Sequence, residues 1–291
     1  MVGSGTLPDP DRPPPARDPL GVPRAPSICV VSGKGGTGKT LTSAALAALF
    51  ARRGKTLLFD ADMGVANAHI LQDVTPEHTL VDVVEGRRGV RDIVVEVQPD
   101  LHLLGGGSGF SRMAGLSTVE LHLIASGLEE LEREYDLVLV DSAAGLSNQT
   151  LAIAAACDVV LLVTTPDVTA MTDAYAFLKV FLRRKPAADP LLVVNRATGE
   201  AEGRQCSERI RDVSRKFLGR TPRALGILPE DRAAFRSLQR RRTVVASEPD
   251  APLSRALERL ASDIQQEVLR VEAGGLGRSL LRTVAYSPKM A

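Results

Sequence analysis

VVSGKGGTGKTLTSAAL, residues Val30–Leu46, joins an apolar run to a helical pattern through a loop rich in glycine. Residues 33–40 of this stretch fit the spacing G-x-x-x-x-G-K-[ST]. Glycines let backbone N–H groups turn inward around phosphate oxygens, and the N-terminus of the following helix adds the positive end of its dipole. The stretch therefore predicts a phosphate-binding loop between a buried strand and a helix. The alternative is a glycine-rich turn that binds nothing.

The rest of the chain alternates between short apolar runs and longer helical patterns. Nearly continuous runs of Val, Leu and Ile are typical of strands buried on both faces. The predicted strands are Ile28–Ser32, Thr56–Asp60, Leu137–Asp141, Val159–Val163, Leu191–Asn195 and Ala224–Leu228. The predicted helices are Lys39–Arg53, Ser117–Glu134, Ser147–Ala156, Val168–Arg184, Gly203–Leu218 and Leu253–Glu272. This alternation predicts an α/β fold, with a mainly parallel twisted sheet and helices on both of its faces.

Length and composition indicate how the chain is divided. The 291 residues are 44% apolar and no linker interrupts the middle, so we expect one domain over residues 27–272. Residues 1–26 hold eight prolines and no apolar stretch, which predicts a disordered arm without a secretory signal. Within the domain, residues 93–107 predict a hairpin or edge pair that turns at Pro99 and Asp100.

Charge and cysteine usage exclude several classes of protein. The net charge is +1, so the chain as a whole has no bias toward nucleic acid or membrane. The three cysteines are scattered without a CxxC pair, which predicts neither a zinc site nor a disulfide framework. We therefore expect a protein of the reducing cytosol.

The phosphate-binding loop predicts a nucleotide site. Lys39 would contact the β- and γ-phosphates, and the Thr40 hydroxyl would bind Mg²⁺. The residues assigned to the nucleotide here are Gly33, Gly35, Gly36, Thr37, Gly38, Lys39, Thr40 and Leu41.

Three aspartates follow predicted strands and complete a candidate metal and hydrolysis site. Asp141 ends YDLVLVD, beside the loop, and is assigned to Mg²⁺ through water. Asp60 and Asp62 leave the strand of LLFDADMGVAN two residues apart. Two carboxylates beside a triphosphate are costly unless a metal or a water proton uses them. We assign Asp60 to the outer shell of the metal and Asp62 to the attacking water, the alternatives being a strand cap at Asp141 and a solvated turn.

Further polar residues follow the last two predicted strands. Asn195 is placed to bind the adenine edge, and Arg196 to stack on the ring. ILPED, residues 227–231, follows the next strand and contributes Pro229 and Asp231. Ordinary turn chemistry is the alternative for each of these positions.

The motifs K-G-G-x-G-K-T, D-x-D-x-G-x-x-N and D-S-A-A-G together resemble those of the MinD/ParA group of deviant-Walker ATPases. The resemblance implies that Lys34, the lysine placed early in the loop, reaches the nucleotide of a partner subunit. ATP is then held between two protomers of a homodimer, with Lys34, Lys39 and Asp62 as the catalytic set. Pro229 and Asp231 resemble the adenine-side loop of the same group.

Three segments narrow the resemblance to the flagellar-number regulators FlhG and FleN. They are LGGGSGFSRMAGLS (104–117), TTPDVTAMTDAYAFLKV (164–180) and LVVNRATGEAEG (192–203). The resemblance implies a cytosolic ATPase that dimerises on the membrane and controls flagellar number and placement. It also implies flagellar partners, either the GTPase FlhF or transcription and basal-body factors, although residues 1–26 lack the D-Q-A-x-x-L-R motif that stimulates FlhF. Ser142 stands where this family often has threonine.

The tail, residues 273–291, carries an amphipathic pattern. Its apolar stripe consists of Leu276, Leu280, Leu281 and Val284, with Arg278 and Arg282 off the stripe. The tail resembles the membrane-targeting helix of MinD and FlhG proteins, and implies ATP-dependent peripheral association with an anionic inner membrane. The alternative is a final helix packed on the protein's own core.

Two other roles remain open within the same chemistry. One is MinD-like control of the division site. The other is ParA-like positioning of DNA or cargo, in which Arg240, Arg241 and Arg242 contact the DNA backbone rather than form a solvated helix end.

Overall fold

The computed structural model describes residues 24–62, 66–107 and 116–285, with side chains as far as Thr283. Residues 1–23 of the predicted arm, part of the 104–117 segment and the end of the tail lie outside the described residues. The described part contains no helix long and apolar enough to cross a bilayer.

One sheet organises the described residues. Its strands are β1 (Ser27–Val31), β2 (Thr56–Ala61), β3 (Val94–Gln98), β4 (Leu101–Leu104), β5 (Leu137–Ser142), β6 (Val159–Thr164), β7 (Leu191–Ala197) and β8 (Arg223–Pro229). Their order across the sheet is β3-β4-β2-β5-β1-β6-β7-β8. Every neighbouring pair is parallel except β3 with β4. The predicted α/β class is confirmed, and each predicted strand lies within one or two residues of its observed bounds.

Helices cover the two faces of this sheet. They are α1 (Lys39–Ala51), α2 (Ala68–Leu71), α3 (Leu80–Val84), α4 (Thr118–Leu131), α5 (Asn148–Ala156), α6 (Val168–Arg184), α7 (Glu200–Leu218), α8 (Arg232–Gln239), α9 (Val244–Ser247), α10 (Pro252–Val268) and α11 (Leu276–Ala285). Of these, α2, α3, α8 and α9 were not predicted. They span at most eight residues, which is too short for apolar residues to recur over two or three turns.

The central strands β1, β2, β5 and β6 are buried on both faces, as their continuous apolar runs predict. Alternate residues of a strand point to opposite faces. Phe59 belongs to one core layer, with Phe177 of α6, whereas Leu58 belongs to the other, with Leu46 of α1. The edge pair β3–β4 is the predicted hairpin, and Asp100 takes a positive φ of 63° in its turn.

The described N-terminal residues and the C-terminal helix meet at one buried carboxylate. Glu132, 1% exposed, accepts a hydrogen bond from Arg24 Nη1 at 2.8 Å and another from the Gly277 amide at 3.1 Å. Arg24 also pairs with Glu129 at 3.0 Å. Burial raises the pKa of Glu132 even with the guanidinium beside it. Arg24, which the sequence assigns to the disordered arm, is thus 3% exposed and part of the folded domain.

Helix α11 lies against α4 and α5 rather than apart from the protein. Leu276 is fully buried and Leu280 is 6% exposed. Gly277 permits this close packing, because a Cβ there would lie 2.2 Å from the Glu129 amide nitrogen. The leucines assigned to lipid by the sequence therefore face the protein's own core in this structure, where their apolar surface is already removed from water.

Candidate nucleotide site

The glycine-rich loop follows β1 and ends where α1 begins. Gly38 is the last loop residue and has a φ of 87°, a left-handed conformation that costs glycine little. A Cβ on Gly38 would also lie 2.2 Å from Asn195 Nδ2. The loop thus rests closely on the end of β7, and its N–H groups are free to turn toward a ligand.

Lys39 and Thr40 open α1 beside a buried carboxylate. Asp141, at the end of β5, is 1% exposed and accepts a hydrogen bond from Ser43 Oγ at 3.0 Å. Thr40 also donates a side-chain hydrogen bond to it, and Lys39 lies close enough to lower its pKa through charge. Burial outweighs these contacts, so the pKa of Asp141 is raised. The structure brings together the three residues that the sequence selected, and adds Ser43.

Asp60 is the direct neighbour of Asp141 across the sheet, since the two are register partners of β2 and β5. Burial, followed by the charge of Asp141, raises the pKa of Asp60 to about 8. Two carboxylates in this position cannot both ionise at low cost without a cation. The Asp60 oxygens accept hydrogen bonds from the Asp62 amide at 3.1 Å and the Ala68 amide at 2.9 Å. Asp60 therefore also ties both ends of the loop after β2.

Lys34 contacts its own chain at the N-terminus of α6. Its Nζ hydrogen-bonds the Thr169 hydroxyl and lies 3.6 Å from an Asp167 carboxylate oxygen. Asp167 is the N-cap of α6 and accepts a hydrogen bond from the Thr169 amide at 2.7 Å. Lys34 remains 41% exposed. The sequence did not predict this contact, although the stretch Pro166–Thr169 has the residue types of a helix cap.

The predicted adenine residues lie at the ends of β7 and β8. Asn195 is 5% exposed, donates to the Thr37 carbonyl at 2.8 Å, and accepts from the Arg196 amide at 2.9 Å. Asp231 caps α8 through the Ala233 amide at 2.8 Å. These contacts give Asn195 and Asp231 supporting roles that the sequence did not indicate; their contact with adenine stays a prediction.

Arg196 and Pro229 complete this side of the site. Arg196 has a positive φ of 57°, and its guanidinium lies 3.4 Å from Glu230. Pro229 pairs in register with Ala197, so the ends of the two strands are adjacent. The predicted adenine-side residues are thus neighbours. They lie at the carboxyl ends of the strands, as the glycine-rich loop does.

The loop, the paired aspartates and the strand order together match a known domain. The family described as the CobQ/CobB/MinD/ParA nucleotide binding domain matches residues 28–244. The chain belongs to this family. The predicted resemblance is confirmed.

The individual relatives of this chain include two flagellar proteins. The antiactivator FleN of Pseudomonas aeruginosa is 32% identical over 81% of this chain and 85% of its own. The flagellum site-determining protein YlxH of Helicobacter pylori is 29% identical over 89% of this chain and 90% of its own. The septum site-determining protein MinD of Pyrococcus horikoshii, solved with Mg-ADP, superposes with a TM-score of 0.71 at 25% identity, covering 84% of this chain and 97% of that one.

The side chains of this MinD/ParA-family site fit a magnesium nucleotide. Thr37 Oγ1 is buried in the loop with no hydrogen-bond partner among the described residues. Gly35 and Gly36 face open space, with nothing within 4 Å of an added Cβ. The described residues form no cluster of three metal-ligating His, Cys, Asp or Glu side chains. Thr40 and Asp141, which are hydrogen-bonded to each other, would hold a Mg²⁺ that is otherwise bound by phosphates and water.

Proposed function

We propose that this protein is an ATP-hydrolysing switch that controls flagellar number and placement. One observation carries the switch: Lys34 lies in the phosphate-binding loop, is partly exposed, and contacts Asp167 and Thr169 of its own chain. A cation in that place can stabilise charge that develops on a phosphate only if something holds it there. In our proposal a second protomer does so, and hydrolysis depends on dimerisation.

The proposed chemistry uses residues that the structure already groups. Lys39 and Thr40 bind the phosphates and Mg²⁺, which would neutralise charge on the transferred phosphoryl group. Asp141 would hold the metal through water, and Asp60 holds the loop that carries Asp62. Asp62 positions the attacking water. Hydrolysis would return the dimer to monomers.

We further propose that the ATP-bound dimer associates with the cytoplasmic membrane through α11. Leu276 and Leu280 would have to leave the core, which costs about 1.5–3 kcal/mol each. Insertion into lipid recovers part of that cost, and two helices on one dimer gain avidity. Membrane binding would then require the ATP state.

Co-sedimentation with vesicles that contain anionic lipid tests this proposal. We expect the full chain to pellet with ATP and to stay in solution with ADP. A chain truncated after Ala273 should stay in solution with either nucleotide, provided that its ATP binding shows that it is folded. Equal pelleting with both nucleotides, or pelleting of the truncated chain, would remove the membrane step.

The flagellar role is tested in the organism that encodes the protein. FleN and YlxH support it. Deletion of the gene should change the number or position of flagella counted by electron microscopy. Normal flagella with misplaced septa would favour the MinD-like alternative. Normal cells with mis-segregated DNA would favour the ParA-like one. Arg240 and Arg241 already pair with Glu248 and Asp73, which speaks for a solvated helix end at that site.

A further inference from the structure

The free edge of the sheet lines a large groove that shares only Pro229 with the predicted nucleotide residues. β8 is the last strand in the sheet order and hydrogen-bonds only β7 among the described strands. Between this edge, α7 and the start of α10 lies a groove of about 1000 Å³. Its lining comes from these elements and the loop after β7, and none of it from the phosphate-binding loop.

The wall of the groove that α7 forms holds polar atoms without partners. Ser207 and Arg211 line the groove one helical turn apart. Ser207 is 6% exposed, and neither its Oγ nor the buried Nε of Arg211 has a hydrogen-bond partner among the described residues. Buried polar groups are nearly always hydrogen-bonded, because an unpaired one costs about 1–3 kcal/mol. Both groups can donate a hydrogen bond. A ligand in the groove that offers an acceptor would therefore satisfy them.

The strand edge adds a second set of unsatisfied groups. An edge strand presents alternate backbone N–H and C=O groups along its length, which pair readily with another extended chain. Ala224 of β8 is exposed, and Leu225, Gly226 and Ile227 are only partly buried. Among the described strands only β7 pairs with β8, so the other side of β8 has no strand partner. A ligand with both backbone donors and acceptors would satisfy it.

The charges that line the groove indicate which kind of extended chain could bind there. Four arginines line it, against two glutamates, Glu200 and Glu208; the arginines are Arg204, Arg211, Arg255 and Arg259. Arg204 pairs with Glu200 at 2.6 Å. Among the described residues no carboxylate forms an ion pair with the other three arginines. The excess is positive, while the glutamates would repel an unbroken row of phosphates.

We propose that this groove binds an extended acidic segment of a partner protein, added as a strand to β8. The backbone of the segment would pair with the edge of β8, and its carboxylates would contact Arg255 and Arg259. One acceptor would also reach Ser207 and Arg211. The groove is thus a protein-docking site, separate from the surface of Lys34.

Fluorescence anisotropy with a labelled heptapeptide of alternating glutamate and threonine tests the proposal. We expect saturable binding to the full chain. A copy of the peptide with N-methylated alternate amides should bind about tenfold more weakly, since it cannot donate along the strand edge. A heptapeptide of alternating lysine and threonine should not bind. Equal binding of the methylated and unmethylated peptides would overturn strand addition.

Matched variants locate the site. Arg255→Glu with Arg259→Glu should weaken binding about tenfold or more, because both arginines are exposed and line the groove. Arg209→Glu, a single charge reversal on a residue of α7 outside the groove, should leave peptide binding unchanged. Loss of peptide binding in both the double variant and Arg209→Glu, or in neither of them, would contradict the assignment. Tighter binding of duplex DNA through the same two arginines would replace the peptide with nucleic acid. ATP turnover of the variants should be normal, which separates this proposal from the switch.

Discussion

Asp60 and Asp141 lie side by side beneath the phosphate-binding loop, and burial raises the pKa of each. The sequence placed both near a metal, because each ends an apolar strand. It could not show that the strands are adjacent and in register, since that depends on pairings between residues far apart in the chain. It likewise missed Asn195 as a support of the loop, because Asn at a strand end has the same pattern in either role.

The stability of the nucleotide-free protein should fall as pH rises. The ordinary pKa of Asp60 is 3.8 and its folded value about 8, so between these values the folded chain holds a proton that the unfolded chain has lost. The free energy of unfolding then falls by up to about 1.4 kcal/mol per pH unit. Urea unfolding at pH 6 and at pH 8 without Mg²⁺ measures this fall in the free energy of unfolding.

Two variants separate Asp60 from the other acids. Asp60→Asn should flatten the fall of stability with pH, because it removes the carboxyl group that keeps its proton in the folded chain. Asp189→Asn, at a position that is 91% exposed, should keep the wild-type slope. An unchanged slope in Asp60→Asn would show that Asp60 is ionised in the folded protein.

Asn195→Ala should weaken nucleotide binding about tenfold. The change removes the donor to the Thr37 carbonyl and leaves a buried acceptor unpaired, at a cost of about 1–3 kcal/mol. Titration of a fluorescent ATP analogue measures the affinity. Gln205→Ala removes an exposed amide from α7 and should have no effect. Wild-type affinity in Asn195→Ala would mean that the loop holds its conformation unaided.

At the scale of elements, the long helices and central strands follow directly from their apolar periods. α6 begins and ends where it was predicted, at Val168 and Arg184. The pattern of α11 was recognised, but a stripe of leucines has the same spacing whether lipid or protein covers it. Gly277 was the available signal, since a residue without Cβ favours close helix packing.

Leu280→Ala should lower the free energy of unfolding by about 2–4 kcal/mol. Leu280 is 6% exposed against α4 and α5, so truncation leaves a cavity. Arg282→Ala, on the exposed side of the same helix, should change stability by no more than about 0.5 kcal/mol. Equal small effects in urea unfolding would mean that α11 spends most of its time undocked.

At the scale of the whole molecule, the loop, the carboxylates and the adenine-side residues all lie at the carboxyl ends of the strands of one sheet. In our proposal, Lys34 is the residue there whose role requires a second protomer. Lys34→Ala should bind ATP with near-normal affinity but lose turnover. Lys39→Ala should lose both, because Lys39 lies within the loop and is 8% exposed.

The matching readout is the dependence of turnover on protein concentration. Wild-type turnover per molecule should rise with concentration and level off as dimers form. Mass measured by light scattering in ATP should double over the same range. A constant rate per molecule, with Lys34→Ala fully active, would show that each protomer hydrolyses ATP alone.

Glu132 joins Arg24 to Gly277, so the described N-terminal residues and the C-terminal helix share an anchor. Fluorophores attached near residue 24 and near residue 276 would therefore start as a close pair, and their separation would report the departure of either terminus. The two termini are also thermodynamically linked. A ligand that pulls Arg24 away would leave a buried carboxylate without its cation, and we expect it to loosen α11.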